Sequence, residues 1–237
     1  MLKINDTTDE TAMQAALATT APNTANLLRG PVPAARSAEA PALGSIRRLA
    51  KDEELFAEGD RAAFFYKVVS GAVRTYKLLG DGRRQIDAFH LPGDIFGIES
   101  GEEHRFTAEA VGDAVVIVYR RCSLEALGAR DADFARQVVA AMMRALERAQ
   151  DHMLLLGRKS ALEKIATFLL DMAARLSDDG AVDLPMSRTD IADHLGLTIE
   201  TVSRSLTQLE RQGVIELPCQ RRNIVIRDKV ALERLNA

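Results

Sequence analysis

Along the last quarter of the chain, apolar positions recur at helical spacing in two short groups. Ile191, Ala192 and Leu195 form the first, and Val202, Leu206 and Leu209 recur at i, i+4 and i+7 in the second. Ser187, with Asp190 three residues on, predicts a capping-box start for the first helix. Gly196 interrupts the pattern where a tight turn needs a residue tolerant of positive φ. Thr198 caps the second helix. Downstream, Gly213–Leu217 and Asn223–Ile226 are short β-rich runs around the turn Pro218-Cys219-Gln220-Arg221-Arg222. This order predicts a winged helix-turn-helix.

The pattern is different between Ser45 and Arg120. Turn signals recur at Glu58-Gly59-Asp60, Ser70-Gly71, Asp81-Gly82, Pro92-Gly93-Asp94 and Gly112-Asp113. Between them lie β-prone runs at Phe64–Val69, Val73–Leu79, Gln85–Leu91 and Val115–Tyr119. Short strands with turns at this interval predict an all-β sandwich or barrel. A short helix is expected at Ser123–Gly128, then a long one from Asp131 to Leu156. Val139, Met142, Leu146, Ala149, Met153 and Leu156 fall at alternating spacings of 3 and 4, a heptad seam. Phe134, Val138, Ala141, Ala145 and His152 form a second set that can pack on the barrel. A helix apolar on two sides must bury both, and a C2 homodimer does this most simply. Burial of the whole helix within one protomer is the alternative. Leu162–Leu176 predicts another amphipathic helix, and Val182–Leu184 a short strand. Residues 1–44, rich in Ala, Thr, Pro and Asn, are expected to be a disordered tail with at most a helical turn near Glu10–Leu17. The expected divisions are therefore 1–44, 45–130, 131–157 and 158–237. The fold class is α+β: an N-terminal double-stranded β-helix (jelly-roll) barrel, a long dimerisation helix and a C-terminal winged helix-turn-helix.

With Val202, Leu206 and Leu209 inward, Glu200, Thr201, Ser203 and Arg204 face outward in the first turns of the second helix. That part of a recognition helix meets base edges in the major groove. Arginine suits guanine O6 and N7, and glutamate suits the cytosine amino group. Ser187 and Thr198, at helix N-termini, and Arg221 and Arg222, at the wing turn, are candidate phosphate contacts. The competing reading is an ordinary helical hairpin with a solvated polar face. Charge does not settle the matter. The net charge of the 237 residues is -3, so no global basic field draws the chain to nucleic acid. Between Leu184 and Arg227, six arginines stand against five carboxylates, a difference of plus one. Dimerisation would double the phosphate contacts. The two cysteines, Cys122 and Cys219, have no metal-binding spacing, and His90, His104, His152 and His194 are scattered. No metal, catalytic triad or P-loop is predicted. Cys219, beside Arg221 and Arg222, is a candidate redox thiol, the alternative being an unreactive turn cysteine. There is no apolar run of about 18 residues to span a membrane and no secretory signal, so a cytoplasmic location is expected.

β-barrel, long helix and winged helix-turn-helix, in that order, resemble the Crp/Fnr superfamily of transcription regulators from Ser45 onward. Phe65-Tyr66-Lys67-Val68-Val69-Ser70-Gly71, Leu91-Pro92-Gly93-Asp94-Ile95-Phe96-Gly97 and Leu197-Thr198-Ile199-Glu200-Thr201-Val202-Ser203-Arg204 carry the resemblance. The pattern Glu200-x-x-Ser203-Arg204 is similar to the Fnr and FixK branches, which implies TTGA-type half-sites in an inverted repeat. A cyclic-nucleotide cassette would carry a Gly-Glu and an Arg-Ser pair, where this chain has Gly97-Ile98 and Arg105-Phe106-Thr107. Residues 1–44 hold no cysteine for an iron–sulfur cluster, and His90 and His104 are unsupported as haem ligands. The segments Tyr76-Lys77 to Gln85-Ile86 and Gln150–Leu156 look FixK-like. The resemblance implies a homodimeric activator of microaerobic and nitrogen-fixation-type genes, acting with RNA polymerase, not an enzyme and without a cofactor. An effector-gated regulator with a ligand in the barrel is the alternative. A cupin-like metal enzyme is another, but His90 and His104 do not have the spacing it requires.

Overall fold

The computed structural model describes residues 44–123, 131–176, 181–218 and 223–236. The expected tail, most of the Ser123–Gly128 helix, and Cys219, Arg221 and Arg222 lie outside the described residues.

Among the described residues, eight strands come first: β1 (Ser45–Leu49), β2 (Glu54–Phe56), β3 (Phe64–Ser70), β4 (Val73–Leu78), β5 (Arg84–His90), β6 (Ile95–Phe96), β7 (Thr107–Ala110) and β8 (Ala114–Arg120). They pair antiparallel as two sheets, β1-β8-β3-β6 and β2-β7-β4-β5. The expected jelly-roll fold is present as two antiparallel sheets packed face to face. Leu49, Phe56, Tyr66, Val68, Val73, Phe96, Ala108 and Val116, drawn from both sheets, form one buried cluster inside it. The β3–β4 turn depends on Gly71, whose φ is +74°; a Cβ there would sit 2.3 Å from the Asp113 carbonyl oxygen.

Helix α1 (Ala132–Arg158) begins at Asp131, whose side chain accepts from the Phe134 N–H at 2.9 Å. Its two apolar sides behave differently. Val138 and Ala141 are buried against Phe65 and Ile95, with Phe134, Tyr119 and Ile98 around them. Val139, Met142, Met143, Leu146, Met153 and Leu154 are exposed, Val139 at 59% and Met153 at 66%. One residue expected on the seam lies elsewhere: Leu156 turns onto the core of its own C-terminal region, beside Gly196, whereas Ala149 stays exposed at the mouth of a cavity next to His152. A straight α-helix drifts by about 20° per heptad relative to a strict 3.5-residue repeat, so a fixed 3-4 stripe moves around it by its last turn.

Among the described residues, helix α2 (Ala161–Leu176), strand β9 (Ala181–Asp183), helices α3 (Arg188–Leu195) and α4 (Ile199–Arg211), strands β10 (Ile215–Glu216) and β11 (Asn223–Ile226), and helix α5 (Lys229–Asn236) follow. The wing sheet runs β10-β11-β9. Helix α5 was not anticipated, although Asp228 accepts from the Ala231 N–H at 2.9 Å as an N-terminal cap and Leu232 is fully buried. One apolar cluster runs from Ile86, Phe89 and Leu91 of the sandwich through Leu155, Phe168 and Leu169 to Leu195, Leu206 and Leu232. Strand β5 and the helix-turn-helix therefore share a core.

Candidate nucleic-acid interface

Ser187 caps α3 in a full capping box. Its hydroxyl accepts from the Asp190 N–H at 3.1 Å and donates to Asp190 Oδ2 at 2.8 Å, while its own N–H donates to Oδ2 at 3.0 Å. Gly196 ends the helix in the left-handed region, at φ 62° and ψ 42°. Thr198 restarts the chain as α4, its hydroxyl oxygen accepting from the Thr201 N–H at 3.2 Å. Val202, Leu206 and Leu209 are buried, as their spacing requires. Glu200 and Arg204 are exposed one turn apart, and Thr201 and Ser203 are half-buried beside them. Arg188, not singled out by spacing, donates to Ser203 Oγ at 3.4 Å.

The reverse side of α3 faces the β-sandwich. Asp190 is 4% exposed, and its Oδ1 accepts from Arg74 at 3.1 Å and Arg84 at 2.6 Å. Arg84 also donates to Asp193 at 2.9 Å. Arg74, itself buried, reaches Glu109 at 2.7 Å and Asp52 at 3.0 Å. At the far end of α3, Gln85 donates to the His194 carbonyl at 3.1 Å, and buried Lys164 donates to the Leu195 carbonyl at 3.1 Å. Two of the five carboxylates that lower the local charge count, Asp190 and Asp193, are therefore engaged by arginines of the sandwich.

The sandwich interior is filled by rings. Phe56 stacks on His104 at 3.6 Å and on Tyr66 at 5.4 Å, and His90 stacks on Phe96 at 4.3 Å. Burial holds the His90 imidazole down to about 4 and lowers His104 below the usual histidine range, so both are neutral at pH 7. Ile98, where a nucleotide cassette would carry its carboxylate, packs into the cluster beneath α1. Arg105 lies over the Phe106 ring at 5.8 Å. A cavity of about 220 Å³ lies where β5, α1, α2 and α3 meet, and His152 stacks on His194 at its edge at 4.1 Å. Burial first, then the neighbouring His152, drives His194 down to about 3.

A β-sandwich of nucleotide-cassette type joined by a long helix to a winged helix-turn-helix defines a DNA-binding transcription regulator and not an enzyme. A model of the cyclic nucleotide-binding domain matches residues 46–131, and one of the Crp-like helix-turn-helix domain matches residues 163–235. The chain is 51% identical over 201 residues to the nitrogen fixation regulation protein FixK of Azorhizobium caulinodans, covering 83% of this chain and 81% of that protein. It is 44% identical over 164 residues to FixK of Rhizobium meliloti, covering 69% and 74%. The solved structure of FixK2 from Bradyrhizobium japonicum superposes with a TM-score of 0.77 at 52% identity, covering 82% of this chain and 98% of that one. The chain belongs to the Crp/Fnr family of transcription regulators, in its FixK group. Among the described residues, no helix is long and apolar enough to cross a membrane.

Proposed function

We propose that the protein is a homodimeric, sequence-specific activator of nitrogen-fixation and microaerobic genes, working in the cytoplasm with RNA polymerase at TTGA-type inverted repeats. The supporting observation is the polar face of α4, with Glu200 and Arg204 exposed one turn apart over a buried Val202-Leu206-Leu209 spine. Arg204 donates to the half-site guanine, Glu200 accepts from its paired cytosine, and Thr201 and Ser203 read adjacent groups. The Ser187 hydroxyl is already engaged with Asp190 in both directions, so phosphate meets this end of α3 through backbone amides. Thr198, Arg221 and Arg222 supply further phosphate contacts. The ring-filled sandwich favours DNA binding without an added effector.

The functional divisions run as tail 1–44, sandwich 45–130, dimer helix 131–157 and DNA-binding region 158–237. Two recognition helices must reach grooves about 34 Å apart. The bare stripe of α1, through Val139, Met142, Leu146 and Met153, suits the dimer contact, and Met143 and Leu154 widen it. Footprinting on a TTGA inverted repeat, with and without cyclic nucleotides, tests the reading. Arg204→Ala should lose about 1–3 kcal/mol per half-site and relax discrimination at one base pair. Equal weakening on every sequence would make Arg204 a phosphate contact. Leu146→Glu should bury an unpaired charge in the seam and abolish dimerisation, at a cost of several kcal/mol. A Leu146→Glu protein that sediments as a dimer at micromolar concentration would sink this seam.

A further inference from the structure

We infer that Arg74 and Arg84, although they belong to the β-sandwich, are positioning residues for DNA binding. Through the Asp190 carboxylate they hold the helix-turn-helix at one orientation to α1, and so set the half-site spacing that the dimer accepts. The inference rests on the proposed reading of the chain as a dimeric DNA binder.

Three observations carry it. First, one buried carboxylate joins two structures. Asp190 Oδ2 closes the α3 capping box with Ser187, and Oδ1 takes an arginine from each of β4 and β5. The group that shapes the α3 N-terminus is the same group that ties it to the sandwich. Second, the opposite end of the eight-residue helix is tied to the sandwich as well, by Gln85 to the His194 carbonyl and by the His194 ring Nδ1 to the Ile86 carbonyl oxygen, while Lys164 of α2 holds the Leu195 carbonyl from within the DNA-binding region. A helix pinned at both ends can neither slide nor swing, and α4 follows it through the short turn at Gly196. Third, the apolar core shared by Ile86, Phe89, Phe168 and Leu195 already holds the regions together. Apolar contact is non-directional and tolerates sliding. Guanidinium–carboxylate contacts fix direction as well as distance. The ion network therefore supplies orientation, which adhesion between the regions does not need and groove spacing does. Arg74 is itself held by Glu109 on β7 and by Asp52, so the anchor does not move with α3.

The test uses the full chain with Arg84→Met, Arg74→Met and the charge-conserving Arg84→Lys. Arg84 is partly exposed, so Arg84→Met and Arg84→Lys keep the test open if Arg74→Met fails to fold. In the free protein, amide hydrogen exchange in α3 should quicken about tenfold in Arg84→Met, with β3 and β8 unchanged. On DNA, the affinity ratio between an inverted repeat of native spacing and one lengthened by a base pair should shrink at least threefold. Arg84→Lys should restore part of it, and the salt slope should stay at the wild-type value. Unchanged exchange in α3 overturns the inference. So does an unchanged spacing ratio, or a salt slope lowered by about 1, which would make Arg84 a phosphate contact. If the wild-type chain binds no inverted repeat, the proposed function fails, while the exchange measurement still decides whether Arg74 and Arg84 hold α3.

Discussion

The sandwich interior and the junction between sandwich and helix-turn-helix are both buried, and they are filled in opposite ways. The interior, where a nucleotide-binding relative needs polar groups, holds stacked rings and two neutral histidines. The junction holds six charged side chains, Asp52, Arg74, Arg84, Glu109, Asp190 and Asp193. A region that only has to be filled can use non-directional contacts. A region that has to hold one orientation benefits from directional ones, even though burying charge is costly. The contrast argues that this regulator's sandwich is a scaffold for its DNA-binding region.

The largest expected effect is in the interior. Phe56→Ala should cost about 3–5 kcal/mol in urea unfolding, because it removes the ring that stacks on both Tyr66 and His104. The loss should be the same at low and high salt; a cost under about 1 kcal/mol would mean that the interior is a pocket and not a core. Arg74→Met should cost about 3 kcal/mol by the same measurement, since Asp190 and Glu109 lose a partner while remaining largely buried. A neutral or stabilising result would show that the apolar core alone holds the junction, and the contrast would collapse.

Acid should act on both regions. His90 and His194 have folded values of about 4 and about 3, below the ordinary 6.5 of the unfolded chain. Above 6.5 both states are neutral and stability is flat. As pH falls below 6.5, the unfolded chain takes up protons that the folded protein cannot. Stability then drops by up to about 1.4 kcal/mol per pH unit for each histidine, until the folded values are reached. His90→Phe should flatten part of this limb by keeping the stack on Phe96 without the titration. An unchanged limb would place the acid sensitivity at the junction, with His194.

The order of elements and the exposed polar face of α4 were legible in the chain. Ser187, Gly196 and Thr198 mark helix ends through local backbone chemistry, and Val202, Leu206 and Leu209 mark a buried face by spacing alone. The strands at Phe64–Ser70 and Ala114–Arg120 followed from turn residues on either side. Such signals need only a few neighbouring residues, so no knowledge of the fold is required to see them. Leu156 was misplaced because a strict heptad drifts around a straight helix, and by the last turn its position faces the C-terminal core instead of the exposed stripe. Helix α5 went unseen because a short run after a strand acquires its meaning from α2, on which it packs. The Asp190 cluster was invisible for the same reason. Its members come from positions 52, 74, 84, 109, 190 and 193, and only the folded chain brings them together. Read along the sequence, Asp190 is a cap residue and a negative charge counted against DNA binding. In the tertiary structure its charge is already taken up by two arginines, because a buried carboxylate is stable only where partners from distant strands converge on it.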